Sequence, residues 1–182
     1  MTRPRVFLDA CVLYPPLVRE LVLAVAGAGA ITAFWSPRVL EEWRIATARK
    51  QGPEAMDLIE ERIAALHRDF PEASVAPDPV AEAVISLPDP ADAHVLAGAM
   101  AARAEVLVTF NLRDFPARAL SGTGITARHP DGFLWELLGG DPDPGPAIHQ
   151  TLSTHEIPPD RARAALKRAR LPRLGKAWAG QG

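Results

Sequence analysis

Residues 106–114 read Val-Leu-Val-Thr-Phe-Asn-Leu-Arg-Asp. The β-branched and aromatic run predicts a strand over Val106–Phe110, and Asn111 and Asp114 then leave it in a polar turn. Polar side chains delivered at the carboxyl end of a strand are where an open parallel sheet places its ligands. The rest of the chain repeats this plan. Val6-Phe7-Leu8 is a short apolar strand that ends directly on Asp9. Ala30–Trp35 is another, followed by Ser36, and Ile125-Thr126-Ala127 reads as the last.

Helical patterns separate these strands. Leu17, Leu21, Val25 and Ala28 recur at helical spacing until Gly27 and Gly29 close the helix. Ser36-Pro37 is a helix start, Ser as cap and Pro at the first position, where its missing N–H costs nothing. That helix runs to about Lys50, and a second spans about Pro53 to Arg68. The four prolines of 71–88 imply loop with a short helix, Asp89-Pro90 opens a helix reaching Arg103, and a short helix lies near Phe133–Leu138. Strands alternating with helices predict an α/β fold, a parallel sheet with helices on both faces joined by right-handed crossovers. Gly139–Pro146, with its alternating Gly, Asp and Pro, marks a boundary, so the chain divides into a body over 1–140 and an extension over 141–182. There, Ala162, Ala165, Leu166 and Ala169 form one apolar stripe, and the basic tail is expected as a single amphipathic helix.

Composition sets the outer bounds. The chain has 182 residues, 48% hydrophobic and 23% charged, which excludes wholesale disorder. No apolar run approaches the roughly 18 residues of a membrane helix. The start, Met-Thr-Arg-Pro-Arg, lacks the apolar stretch of a signal peptide, and Cys11, the single cysteine, excludes an internal disulfide or a cysteine-built metal site. A protein of the reducing cytoplasm is expected. The net charge is −2. Seven basic residues from Arg161 to Lys176 stand against Asp160, so that stretch carries about +6 and the remainder about −8. A negative body with a positive end fits a carboxylate-lined site with a handle for an anionic partner.

Helical phase gathers the acids. At about 100° per residue, Glu42 falls inside the apolar arc of Val39, Trp43 and Ala46, whereas Glu41 points outward with Arg44. Asp92 shares an arc with Val95, Leu96 and Ala99, with His94 on the far side in a surface or packing role. Asp9, Glu42, Asp92 and Asp114 thus face one place, with no Lys or Arg evidently set to neutralise them. Clustered carboxylates repel unless a cation sits between them, and all-oxygen ligands select Mg²⁺ or Mn²⁺. Such an ion activates water and stabilises a phosphodiester under attack.

These segments together resemble a PIN domain: Phe-Leu-Asp9-Ala-Cys-Val-Leu-Tyr, Ser36-Pro-Arg-Val-Leu-Glu-Glu42-Trp, Leu-Pro-Asp89-Pro-Ala-Asp92-Ala-His-Val-Leu-Ala and Val-Thr109-Phe-Asn111-Leu-Arg-Asp114-Phe-Pro. The resemblance covers residues 4–138, and it is nearest the VapC-like toxin branch whose members carry a helical C-terminal extension. It implies a Rossmann-like central sheet and a Mg²⁺- or Mn²⁺-dependent endoribonuclease that hydrolyses RNA through metal-activated water. It further implies a homodimer and the toxin of a type II pair with a cognate antitoxin. The family's acidic positions fall on Asp9, Glu42, Asp92 and Asp114, with Asp9, Asp92 and Asp114 as metal ligands and Thr109 and Asn111 in the accompanying turn. Many relatives carry Asn where this chain has Cys11.

Other readings stand beside this one. Asp89 fits an N-cap, Asp114 a loop residue bonding its own backbone, and Cys11 a small packing residue. Trp35 and Trp43 belong to the core. His67, His129, His149 and His155 form no ligand spacing. A catalytically weak RNA-binding module and a phosphatase with an Asp nucleophile are the rival functions. The second wants an acid two residues after that Asp, where this chain has Cys11.

Overall fold

Val6, Phe7 and Leu8 are wholly buried because their strand is central to the sheet. In the computed structural model, which describes residues 3–179, β1 (Arg5–Leu8) lies between β2 (Thr32–Phe34) and β3 (Val106–Val108), with β4 (Thr126–Arg128) beyond β3. All three pairings are parallel. Leu8 pairs with Val108, and Val108 with Arg128. This register makes Asp9, Thr109 and His129 step off the sheet at one level. The four expected strands are present: β1 ends at Leu8 as expected, β4 runs one residue further, and β2 and β3 end early. Thr109 and Phe110 lie past the end of β3, and Trp35 makes only an isolated bridge to Ser74.

Short α1 (Ala10–Leu13) follows β1 and leads into α2 (Pro16–Gly27). After β2, α3 (Pro37–Gln51) begins as its sequence requires, with Ser36 Oγ accepting from Val39 N and Pro37 in the first turn. The helix expected at 53–68 is a 3₁₀ turn over Pro53–Ala55 and then α4 (Met56–Asp69). Short α5 (Pro79–Ala83) occupies the proline-rich stretch. The helix expected from Asp89 divides likewise into a 3₁₀ turn, Pro90–Asp92, and α6 (Ala93–Ala101). Gly98 lets α6 cross β1 closely, since a Cβ there would stand 2.5 Å from Cζ of the buried Phe7. Then come α7 (Ala117–Leu120) before β4, and α8 (Pro130–Leu137) after it.

The C-terminal region differs from its expected form. Among the described residues it holds three helices, α9 (Gly145–Thr154), α10 (Pro159–Arg168) and α11 (Pro172–Trp178), where a single basic helix was expected for the tail. The stripe breaks at Arg170, which takes φ 65°, and at Leu171-Pro172, which starts a new helix. Leu171 and Leu174, outside the stripe, are wholly buried. Two anchors hold this region to the sheet's helices. Ile148 and Leu152 bury the face of α9 that meets α2, each worth about 1.5–3 kcal/mol of apolar burial. The buried carboxylate of Asp131, on α8, accepts from the backbone N–H groups of Arg173 and Leu174, both at 3.0 Å, at the free amino end of α11. Among the described residues no helix is long and apolar enough to cross a membrane.

Candidate metal centre

Asp9 sits where β1 becomes α1. Its backbone is extended and its side chain makes no cap, so the carboxylate is free to turn towards β3. It is 8% exposed, and Oδ2 accepts from the Thr109 hydroxyl at 2.7 Å and the Cys11 thiol at 3.1 Å. Thr109, wholly buried, is itself fixed from below, because its Oγ1 accepts from Asn111 N at 2.9 Å. The Cys11 sulfur in turn accepts from Phe110 N at 3.3 Å. Burial, then the Asp9 charge, push the Cys11 thiol up to about 12, so it remains a protonated donor. The Cys11 thiol thus stitches the first acidic loop to the turn after β3.

The second group is built differently. Asp89, Asp92 and Asp114 each present a carboxylate oxygen within 4.8 Å of the other two. Asp89 caps the 3₁₀ turn through Ala91 N at 2.9 Å, as its sequence position predicts, yet it also belongs to this group. Asp114 is oriented by the Asn111 amide, which donates to its Oδ2. Asp92 has no such support. Its buried Oδ2 lacks any hydrogen-bond partner among the described residues, and its pKa is raised to about 6, first by burial and then by Asp9, Asp114 and Asp89. Among the described residues no Lys or Arg pairs with Asp9, Asp89, Asp92 or Asp114. Three crowded oxygens, one of them buried and unpartnered, fit a hard divalent cation.

Asp92 and Asp114 are thus brought together, and Asp9 lies close enough for its charge to act on Asp92. Asp89, which the sequence leaves open between a cap and a member of the site, both caps the turn and joins this group. Its spacing to Asp92 within one turn was the available signal.

Glu42 stands apart from that group. Its side chain is 40% exposed, with Oε1 at 2.7 Å from Nε2 of His94 and 4.0 Å from Nε of Arg38. A neutralising arginine one helical turn away therefore exists where none was expected. His94, expected on the far side from the site, is 1% exposed against Glu42. The contact is close but not aligned as a hydrogen bond, and both ring nitrogens lack partners among the described residues. His94 does lie away from Asp92 around the helix, but that side is not solvent: it is packed, and Glu42 of α3 stands there. From Ala93 to Ala99 the helix is buried on every side and offers no polar face to read.

Comparison with known proteins points the same way. The family described as "PIN domain" matches residues 5–113. A stretch of 47 residues is 55% identical to the Mycobacterium tuberculosis protein named "Putative ribonuclease VapC50", over 26% of this chain and 28% of that protein. The chain therefore matches less than a third of that relative's length. No solved structure matches.

Proposed function

The chain belongs to the PIN-domain family, and on that premise we propose that it is a Mg²⁺- or Mn²⁺-dependent endoribonuclease of the cytoplasm. We assign it the toxin's role in a type II toxin–antitoxin pair, as a homodimer held in check by a cognate antitoxin. Its nuclease unit is residues 1–140, with 141–182 as the helical extension. The observation that carries the reading is Asp92: a carboxylate with a buried, unpartnered oxygen and a raised pKa, crowded by Asp89 and Asp114.

Asp9, Asp92 and Asp114 hold the ion in this reading, with Asp89 as a further ligand. A bound divalent cation supplies an activated water and stabilises charge on the phosphodiester oxygens. The chain's own residues do the rest. Thr109 and Cys11 lock Asp9 in one orientation, and Asn111 does the same for Asp114. Glu42, held beside His94 and Arg38, would join the acidic site only through water in this reading.

Cleavage of a labelled RNA in Mn²⁺ tests the reading. Asp92→Asn and Asp9→Asn should fold as the parent does and lower the rate more than about 100-fold, beyond the loss from removing an outer partner of a metal ligand. EDTA should abolish parental cleavage. Equal rates in parent and variants, or cleavage indifferent to EDTA, would refute it.

A further inference from the structure

An RNA strand approaching four carboxylates is repelled, so a nuclease built on them needs fixed positive charge along the strand's route. The basic C-terminal helices supply a residue in that position. Arg170 occupies the left-handed conformation just past α10, with φ 65°. Leu171 N donates to Leu166 O at 2.8 Å across it, the helix ending in which glycine is the ordinary occupant. An arginine there keeps a backbone strain of roughly 1 kcal/mol that glycine would relieve. Its side chain explains the exception. The guanidinium lies 4.3 Å above the ring of Phe110, the residue between Thr109 and Asn111 of the acidic site. The other neighbour of that ring is His129, edge-on at 5.0 Å. Arg170 is exposed, and among the described residues it has no carboxylate or carbonyl partner. Burial and the Arg170 charge hold the His129 imidazole below its usual pKa, consistent with an uncompensated cation beside it.

We propose that Arg170 is an RNA-binding residue, gripping a phosphate of the single strand that crosses Phe110 into the acidic site. This rests on the ribonuclease reading above. Stacking on Phe110 fixes the guanidinium while leaving its N–H fork free for a phosphate. A similar pair continues the ledge along α8, where Arg173 lies 5.5 Å over Trp135, an indole 43% exposed. Alternating cations and aromatic faces suit a single-stranded nucleic acid, whose phosphates and bases alternate in the same way. The extension thereby becomes part of the substrate site.

The test measures KM and kcat for a labelled single-stranded RNA in Mn²⁺ over a range of salt, using the full chain. Arg170→Ala and Arg170→Gly should raise KM about tenfold, the effect of one lost charge-assisted contact, with kcat within about twofold. The slope of log KM against log salt should flatten by about 0.7, one phosphate contact on a single strand. Arg170→Lys, which keeps the charge but loses the stacked fork, should restore the salt slope and only part of the KM. Arg170→Gly should melt no lower than the parent, because glycine relieves the backbone, which separates weakened binding from weakened folding. Unchanged KM and salt slope in Arg170→Gly, with parental cleavage intact, would overturn the proposal alone and leave the extension to an acidic protein partner. A parent that cuts no RNA would overturn the reading beneath it.

Discussion

Asp9 and Asp92 are carboxylates of one site held in opposite ways. Asp9 is satisfied from within: a hydroxyl and a thiol donate to one of its oxygens, and each donor is pinned by a backbone N–H of the turn after β3. Asp92 is left wanting, with a buried oxygen that no group among the described residues reaches and three other acids raising its pKa. The protein thus orients one carboxylate with its own donors and leaves another without any, which in the proposed function a bound cation would satisfy. A fold that had no use for a cation would gain by replacing Asp92 with an uncharged residue.

The contrast can be broken from either side. Asp92→Asn has the largest expected effect on cleavage, as given above, and leaves Asp9's donors untouched. Thr109→Val comes next. It keeps the shape but removes both the donor to Asp9 and the acceptor for Asn111 N, so cleavage should fall about 10- to 100-fold and recover in Thr109→Ser. A rate within twofold of the parent would show that Asp9 needs no lock.

The smallest effect is on stability against pH in metal-free protein. Burial and the neighbouring acids raise the pKa of folded Asp92 to about 6 from the ordinary carboxylate value of 3.8. Between these values the folded chain binds more protons than the unfolded one. The stabilisation from protonated Asp92 is therefore complete below about 3.8 and is lost as pH rises through about 6. Asp92→Asn should accordingly melt a few degrees above the metal-free parent at pH 7, with the gap closing by pH 4. A parent that melts higher than the variant at pH 7 without metal would contradict this.

The sheet was legible because each strand is an apolar run ending on a polar residue. The early end of β3 was not, since Thr109 has high β-propensity and its N–H still bonds Arg128 O, while its side chain turns to Asp9. The acids on irregular backbone were the hardest to read. Asp89 caps a turn and also joins the cluster, a double role that no periodicity encodes. Glu42 and His94 were misjudged because α6 is buried on every side, so its phase marks no polar face, and the side away from Asp92 packs His94 against Glu42. In the tail, the apolar stripe lies on α10 alone with Ala169 as its cap, and Leu171-Pro172 was the overlooked signal that a second helix follows.

Calorimetric titration of Mn²⁺ into the metal-free parent and into Asp92→Asn at pH 7 addresses the acidic cluster without depending on any RNA. Saturable binding by the parent, weakened more than about tenfold in the variant, is the predicted result. Identical isotherms for the two proteins, or no parental binding at millimolar metal, would contradict it.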